Sequence, residues 1–493
     1  MNTQADLNPA QARDPLESAT AAEPSRLHRK LPAFDALLLT LSCLSPVFSV
    51  YGPGSDVLQH TGTGAAALFL IAIGAAAIWG MVYAELGSAY PYAGGDYVGV
   101  GSILGPAAGF ACLVLWAVVV LPLDAFLAKM VAIYLAQAVP AAQPVAVTYI
   151  AMILAAGVAL LAVRASAALT GVFLAIEFLA VLALIVAGFW HPAGNFIAML
   201  THPRVPDAQG LWVPAAAAAM AMGAVNAAFA AAGGNQAIAF GEELIEPHRN
   251  MGRVILIACL IGAVAIALPM IAVAWSASGH PGIFRSAAPL SAFVTSLAGP
   301  AAGRALSAAV ALAVFNALIA QMLFASRLFF SFARDGVFPA GINTALAKVD
   351  PASGAPRAAT IVVAAGSALC CLMAAHVLLV FMSGLVVYAL ALVSISVLVG
   401  RIRGQTGGPG FWRSPLYPLM PLLGLALALA FAGADWRDPD AGRPSLLILG
   451  GLLVAALAWY YFVLRRRPGG WSPRVERAAP SSAENEVYRR PDA

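Results

Sequence analysis

The chain has 493 residues, 61% of them hydrophobic and 10% charged, with 27 Lys and Arg against 23 Asp and Glu for a net charge of +4. Its mean hydropathy is +0.85, whereas a soluble domain carries about 25% charged residues; this excludes a soluble domain, and the small positive charge calls for no nucleic-acid partner. At about 20 apolar residues per crossing, and roughly 35–40 per span with its loop, the length accommodates about twelve helices in one all-α membrane domain.

Residues 1–30 are polar, contain Pro9, Pro15 and Pro24, and lack the apolar run of a signal peptide, so a disordered tail is expected there. Spans are expected near 33–58, 64–86, 103–138, 144–163, 167–190, 212–241, 251–276, 301–333, 357–375, 378–400, 414–434 and 445–464, within a transmembrane domain covering 31–467. A second disordered tail is expected over 468–493. With the N-terminus inside, one side collects Arg26, Arg29, Lys30, Arg164, Arg249, Arg253, Arg334, Lys348, Arg357, Arg401, Arg403, Arg413 and Arg465 to Arg467. The other side holds only Arg204, Arg285, Arg304, Arg437 and Arg443. The larger set marks the cytoplasm, which puts both termini there, in a cell (plasma or inner) membrane.

Two of these spans are interrupted. The first reads LSCLSPVFSVYGPGSDV from Leu41 to Val57, and the sixth AAFAAAGGNQAIAFGEEL from Ala227 to Leu244. An unwound backbone in a bilayer leaves N–H and C=O groups unsatisfied and survives only where it lines a cavity or is covered by protein. Five spans separate the start of one broken helix from the start of the other, so the two cross in opposite directions. The reading is a five-plus-five inverted repeat with broken helices 1 and 6, followed by two extra C-terminal helices, and its breaks mark a binding site. Gly52-Pro53-Gly54 gives a permissive backbone, and Ser55 or Asp56 can cap the half-helix that follows, whose N-terminus favours a carboxylate. Gly233-Gly234-Asn235 opens helix 6, where the carbonyls near Ala231 and Ala232 present partial negative charge to an ammonium group. The alternative is that these glycines only let helices pack closely.

Cys43, Cys112, Cys259, Cys370 and Cys371 lie in apolar stretches without metal or redox spacing and are expected as small buried hydrophobes. The seven histidines fall in loops, tails or span ends, so neither a metal site nor a cofactor is expected. Trp79, Trp116, Trp190, Trp212, Trp275, Trp412, Trp436 and Trp459 are expected mostly at the membrane interfaces.

Three segments carry a family resemblance. AELGSAYPYAGGDYVGVGSILGPAAGF, from Ala84 to Phe110, resembles the loop after helix 2 of permeases of the amino acid–polyamine–organocation (APC) superfamily. GEELIEPHRNMGRV, from Gly241 to Val254, is similar to their helix 6–7 connection, and SRLFFSFARDGVFP, from Ser326 to Pro339, to the end of helix 8 and the loop beyond it. The resemblance spans about residues 31–465 and implies a transporter that co-transports or exchanges small amino-group-bearing solutes. It also implies that Gly52 and Gly54 form the carboxylate-binding Gly-x-Gly, that Phe229 is an aromatic gate, and that Gly233 and Gly234 lie in the unwound part of helix 6. Pro53 departs from the family pattern by removing an amide donor, and Ser45-Pro46 is closer to amine and polyamine importers. The expected substrate-binding set is Ser49, Gly52, Gly54, Ser55, Phe229, Ala231, Gly233, Gly234 and Asn235, with Asp124.

Ionisable groups inside spans cost at least about 2.5 kcal/mol at the bilayer centre and are usually functional. Asp124, in LPLDAFLAK, either holds a substrate ammonium, relays a proton, or bonds a neighbouring helix. Glu177 either binds and releases a coupling ion or makes a structural hydrogen bond. Arg327 is expected to snorkel or pair near the cytoplasmic mouth. Glu85, Glu242 and Glu243, at cytoplasmic helix ends, either pair with Arg249 or Arg253 to hold an inward gate shut or are solvated. No GxxxxGK[ST] loop is present for an ATP-driven pump, and the spans lack histidine for a membrane enzyme. The reading is a secondary active amino acid transporter working by alternating access, coupled to H+ or possibly Na+ or exchanging substrates. The alternative is a polyamine or other organic-amine importer.

Overall fold

The structure is a computed structural model, and it describes residues 29–161, 163–286, 288–440, 442–467 and 470–474. Most of the two tails expected over 1–30 and 468–493 lies outside the described residues. Among these residues, eight helical segments are long and apolar enough to cross a membrane, and three shorter apolar helices accompany them. Among the described residues the secondary structure is α-helical apart from short 3-10 turns, one small hairpin and an isolated bridge between Leu31 and Leu244.

The first expected span is three helices: α1 (Ala33–Leu44), α2 (Pro46–Tyr51) and α3 (Pro53–Thr61). The break anticipated at Gly52 is present, at φ −91° and ψ −99°, and a second one lies at Ser45, at φ 40° and ψ 94°. Each is followed by proline, which lacks an N–H and pushes the preceding residue out of helical geometry. A left-handed φ is costly for serine. Its hydroxyl caps α2 by accepting from the Phe48 N–H at 3.3 Å, and donates to Glu177 at 2.9 Å.

Helix α4 (Ala65–Ala89) follows. The glycine-rich stretch after it, expected as loop, contains the buried α5 (Asp96–Leu104), separated by Gly105 from α6 (Pro106–Ala138). Then come α7 (Pro144–Ala159), α8 (Val163–Trp190) and the short α9 (Phe196–Thr201). The sixth span was expected from 212, but β1 (Arg204–Pro206) and β2 (Trp212–Pro214) pair antiparallel, with Val205 opposite Val213, and delay the helix to α10 (Ala217–Ala231). Ala232 is extended and Gly233 has φ 147° and ψ −14°, after which a 3-10 helix runs over Gly234–Phe240. Only glycine fits at position 234, where a Cβ would collide with the Cys259 sulfur and come within 2.9 Å of the Ile255 carbonyl oxygen.

Helix α11 (Pro247–Ser276) and the short α12 (Pro281–Phe284) lead to α13 (Pro289–Arg334), which turns sharply at Gly299, φ 82°, just before Pro300. The break signal at Gly299-Pro300 is why the sequence places this span only from 301. Helices α14 (Ala340–Leu346), α15 (Arg357–Cys370), α16 (Ala375–Ile402), α17 (Leu419–Asp435) and α18 (Gly442–Phe462) complete the chain.

Helix α11 packs along α4 and α13 along α6, while α1 contacts α8, α11 and α13. Outward faces of α7, α8 and α18 expose Val145, Leu179, Trp190 and Val454, the pattern of helices facing lipid. Residues 470–474, expected to be loose tail, are instead anchored. Trp471 is buried, its ring edge-on to Phe110 with centroids 5.3 Å apart, and the Arg474 N–H donates to Asp335 at 3.2 Å. Burial pushes the Asp335 carboxyl up to about 6.

Candidate functional site

The two helix breaks meet. Leu44, the last residue of α1, packs on Gly233, and together with Phe48, Ser49 and Pro53 on one side and Phe229 and Asn235 on the other they line a cavity of about 70 Å³. Residues of α4, α6, α13 and α16 close its remaining walls. Of the nine break residues expected to bind substrate, Ser49, Phe229, Gly233 and Asn235 line this cavity. Gly52, Gly54, Ser55, Ala231 and Gly234 flank it without lining it.

The backbone chemistry at the breaks differs in one respect from the sequence reading. The Gly52 N–H is already bonded to the Phe48 carbonyl at 2.7 Å, closing the end of α2, and Pro53 has no N–H. The donors left at this break are those of Gly54 and Ser55, in the first turn of α3, which has no carbonyl one turn back within the helix. Opposite them, α10 stops at Ala231: the Ala232 N–H bonds the Phe229 carbonyl at 3.1 Å, and the carbonyls of Ala230 and Ala231 have no amide one turn further on within the helix. The Ser49 hydroxyl donates to the Leu44 carbonyl at 3.0 Å and so ties the end of α1 to α2.

Two tryptophans expected at membrane interfaces belong to the cavity wall instead. Trp79 donates its Nε1–H to Asn235 Oδ1 at 3.2 Å and stacks on Tyr83, which fixes the Asn235 carboxamide. Trp116 donates to Asp96 Oδ2 at 3.2 Å. Burial pushes the Asp96 carboxyl up to about 7, with the Trp116 bond working the other way. The lining contains two further polar side chains that the sequence reading passed over, Gln236 and Gln321. Gln321 is 1% exposed, and neither its Nε2 nor its Oε1 has a partner among the described residues; Gln236 Oε1 has none either. A buried unsatisfied polar group costs about 1–3 kcal/mol. Their signal in the sequence was a carboxamide inside a span, which is easily overlooked because it carries no charge.

Asp124, expected in the binding set, is not among the residues that line the cavity. It is fully buried but faces α15, accepting from the Ser367 hydroxyl at 3.2 Å, while its neighbours Leu123 and Leu127 are the α6 residues that reach the cavity. One helical residue step is about 100°, enough to turn it away. Glu177 is buried next to the first break. Its Oε2 accepts from Ser45 at 2.9 Å and its Oε1 from Asn316 Nδ2 at 2.8 Å, so one carboxyl joins the Ser45 break, α8 and α13.

One end of the bundle is closed by three arginine–glutamate pairs. Glu243 meets Arg327 through both oxygens, at 2.9 to 3.2 Å, with each side chain 2% exposed. Glu242 meets Arg334 at 2.6 Å and also accepts from the Ala93 N–H at 2.9 Å. Glu85 meets Arg401 at 2.6 Å and accepts from Thr406 and the Ser414 N–H. Arg249 takes no part: it lies 3.7 Å from Glu246 on the exposed surface. The sequence pairing failed because Arg249 is adjacent to the glutamates along the chain, whereas the arginines that reach them come from α13 and α16. Leu31 is pinned at the same end, its N–H bonded to the Glu243 carbonyl at 2.8 Å and its carbonyl to the Ile245 N–H at 3.0 Å.

The chain is 29% identical over 318 residues to the Asc-type amino acid transporter 1 of Mus musculus, a match covering 61% of this chain and 58% of that protein. It is 28% identical over 324 residues to the large neutral amino acids transporter small subunit 2 of Rattus norvegicus, with the same coverage of each. The chain thus spans less than two thirds of the length of these relatives. The family model for amino acid permeases matches residues 33–454, across both breaks, the cavity and the paired end. The chain belongs to the amino acid permease family, within the APC superfamily.

Proposed function

We propose that the chain is a secondary active transporter that moves amino acids across the cell membrane by alternating access. The observation that carries this is the pair of opposed helix ends at one cavity: Pro53 brings the start of α3 to its wall, with the amides of Gly54 and Ser55 just behind it for a carboxylate, and Ala230 brings the end of α10, with the carbonyls of Ala230 and Ala231 for an ammonium group. A zwitterionic α-amino acid presents both. A polyamine would need a carboxylate, and with Asp124 turned towards Ser367 the cavity lining contains none. The names of the relatives, an Asc-type and a large neutral amino acid transporter, point the same way.

The topology belongs to this reading. Counting Ala33–Ala89 as two crossings and adding the three shorter apolar helices gives twelve, with an inverted five-plus-five core and both termini cytoplasmic. The end closed by Glu85, Glu242 and Glu243 is then the cytoplasmic gate, and its pairs part when the cavity opens inward. Glu177 is the coupling group, with H+ as its ion. It ties the Ser45 break to α13 when it accepts both hydrogen bonds, and a proton on it changes that bonding.

Uptake into proteoliposomes tests this directly. With a pH or sodium gradient imposed and a panel of amino acids and amines offered, saturable uptake of amino acids that unlabelled amino acids compete away is expected. Absence of uptake for every amino acid of the panel would overturn the proposal.

A further inference from the structure

We infer that Gln321, assisted by Gln236, selects neutral amino acids whose side chains carry a hydroxyl or carboxamide group. This rests on the amino acid transport reading above and names the substrate class of that same site. The other polar side chains of the lining are committed elsewhere: Ser49 to Leu44, Trp79 to Asn235, and Trp116 to Asp96. The helix ends at the breaks serve the α-carboxylate and α-ammonium, groups that every amino acid shares, and so cannot discriminate between side chains. Gln321 differs from them in position and in bonding. Phe324, three residues further along α13, packs edge-on against Trp116 with centroids 5.5 Å apart, so Gln321 sits on the face of α13 turned towards the Trp116 wall.

Its carboxamide is buried with both the donor and the acceptor end unpartnered, and Gln236 adds a second free acceptor. The group that satisfies Gln321 must accept at Nε2 and donate to Oε1. A hydroxyl does both, as does a carboxamide. An aliphatic side chain of the same size does neither and leaves the pair desolvated. No ionised side chain lines the cavity, so an acidic or basic substrate side chain would enter without a counter-charge. Sites built to hydrogen-bond a substrate group can reject the analogue lacking it by large factors. The Gln321 carboxamide is buried without a partner among the described residues, a state that costs about 1–3 kcal/mol, so a factor of about ten is expected here between a substrate that satisfies it and one that does not.

The test compares isosteres in proteoliposomes: L-serine with L-2-aminobutyrate, and L-asparagine with L-leucine. The wild-type chain is expected to show a KM at least about tenfold lower for the hydrogen-bonding member of each pair, about 1.4 kcal/mol. Gln321→Leu and Gln321→Met should each compress that ratio towards one by raising KM more for serine than for 2-aminobutyrate. Wild-type ratios near one, or variants that shift both members of a pair equally, would overturn the inference while leaving amino acid transport intact. Absence of uptake for all four would instead strike the transport reading. The wild-type ratio decides the matter even where a variant fails to fold.

Discussion

The Arg327–Glu243 pair is the contact whose removal has the most calculable consequence. Both side chains are 2% exposed, and the guanidinium reaches both carboxylate oxygens at 2.9 to 3.2 Å. In Glu243→Gln the pairing charge disappears. Arg327 is left with the Leu323 carbonyl at 2.9 Å and the Phe240 ring at 5.0 Å from its centroid. Removing one partner from a buried pair costs about 3–5 kcal/mol, since an uncompensated cation stays behind. If the pair exists only while this end of the bundle is closed, the whole penalty falls on the closed state. The balance between closed and open forms then moves by at least about a hundredfold.

Cys43 supplies the assay, because its side chain lines the cavity and is 8% exposed. Alkylation by a membrane-impermeant thiol reagent applied from the Glu243 side, read at Cys43 by mass spectrometry, should be at least about tenfold faster in Glu243→Gln than in the wild type. Replacing both partners, as Glu243→Leu with Arg327→Met, should bring the rate back towards wild type, because an apolar pair of similar volume carries no buried charge. Two results would refute the reasoning. Unchanged labelling with unchanged thermal unfolding would mean that the pair contributes under about 1 kcal/mol; lowered unfolding temperature with unchanged labelling would make it a fixed brace and not a gate.

Three other predictions use different parts of the molecule. Glu177→Gln should abolish stimulation of uptake by a proton gradient while substrate exchange across the membrane persists, and a variant still driven by the gradient would remove Glu177 from coupling. For Asp96, burial raises the carboxyl from 3.8 to about 7, so the folded state holds a proton that the unfolded state releases. Stability should fall as pH rises between about 4 and 7 and level off above, by up to about 4 kcal/mol in all. Asp96→Asn should flatten that slope when unfolding in detergent is followed by fluorescence, and equal slopes in the two proteins would refute it. Trp471→Ala should destabilise by about 3–5 kcal/mol, as for a core tryptophan, because the ring is 5% exposed against Phe110 and Tyr460. A variant unfolding at the wild-type temperature would show that the anchored C-terminal segment contributes nothing.

What could be read from the sequence is what depends on the residue and its immediate chain neighbours. Gly233 and Gly234 announce an unwound backbone because no other residue fits there, and Gly52-Pro53 announces a half-helix start because proline lacks a donor. Ser45-Pro46 carried the same local signal. It lies inside the same interrupted segment, Leu41 to Val57, but serine among small residues in an apolar run marks a break less plainly than glycine does. The partners of Glu85, Glu242 and Glu243 were not legible. They come from α13 and α16, far along the chain, and only packing decides which arginine arrives. Asp124 and Glu177 show where the limit lies. Both are carboxyls in spans, both are fully buried, and apolar helices enclosed on every side carry no periodicity to say which way a given residue faces. Asp124 bonds a single hydroxyl on α15, whereas Glu177 joins the Ser45 break to Asn316 on α13. A carboxyl that bonds one neighbour ties a single helix contact. One that spans a break and two helices cannot change protonation without altering how those helices are tied. It is this bridging, and not burial or residue type, that separates a candidate coupling group from a structural one.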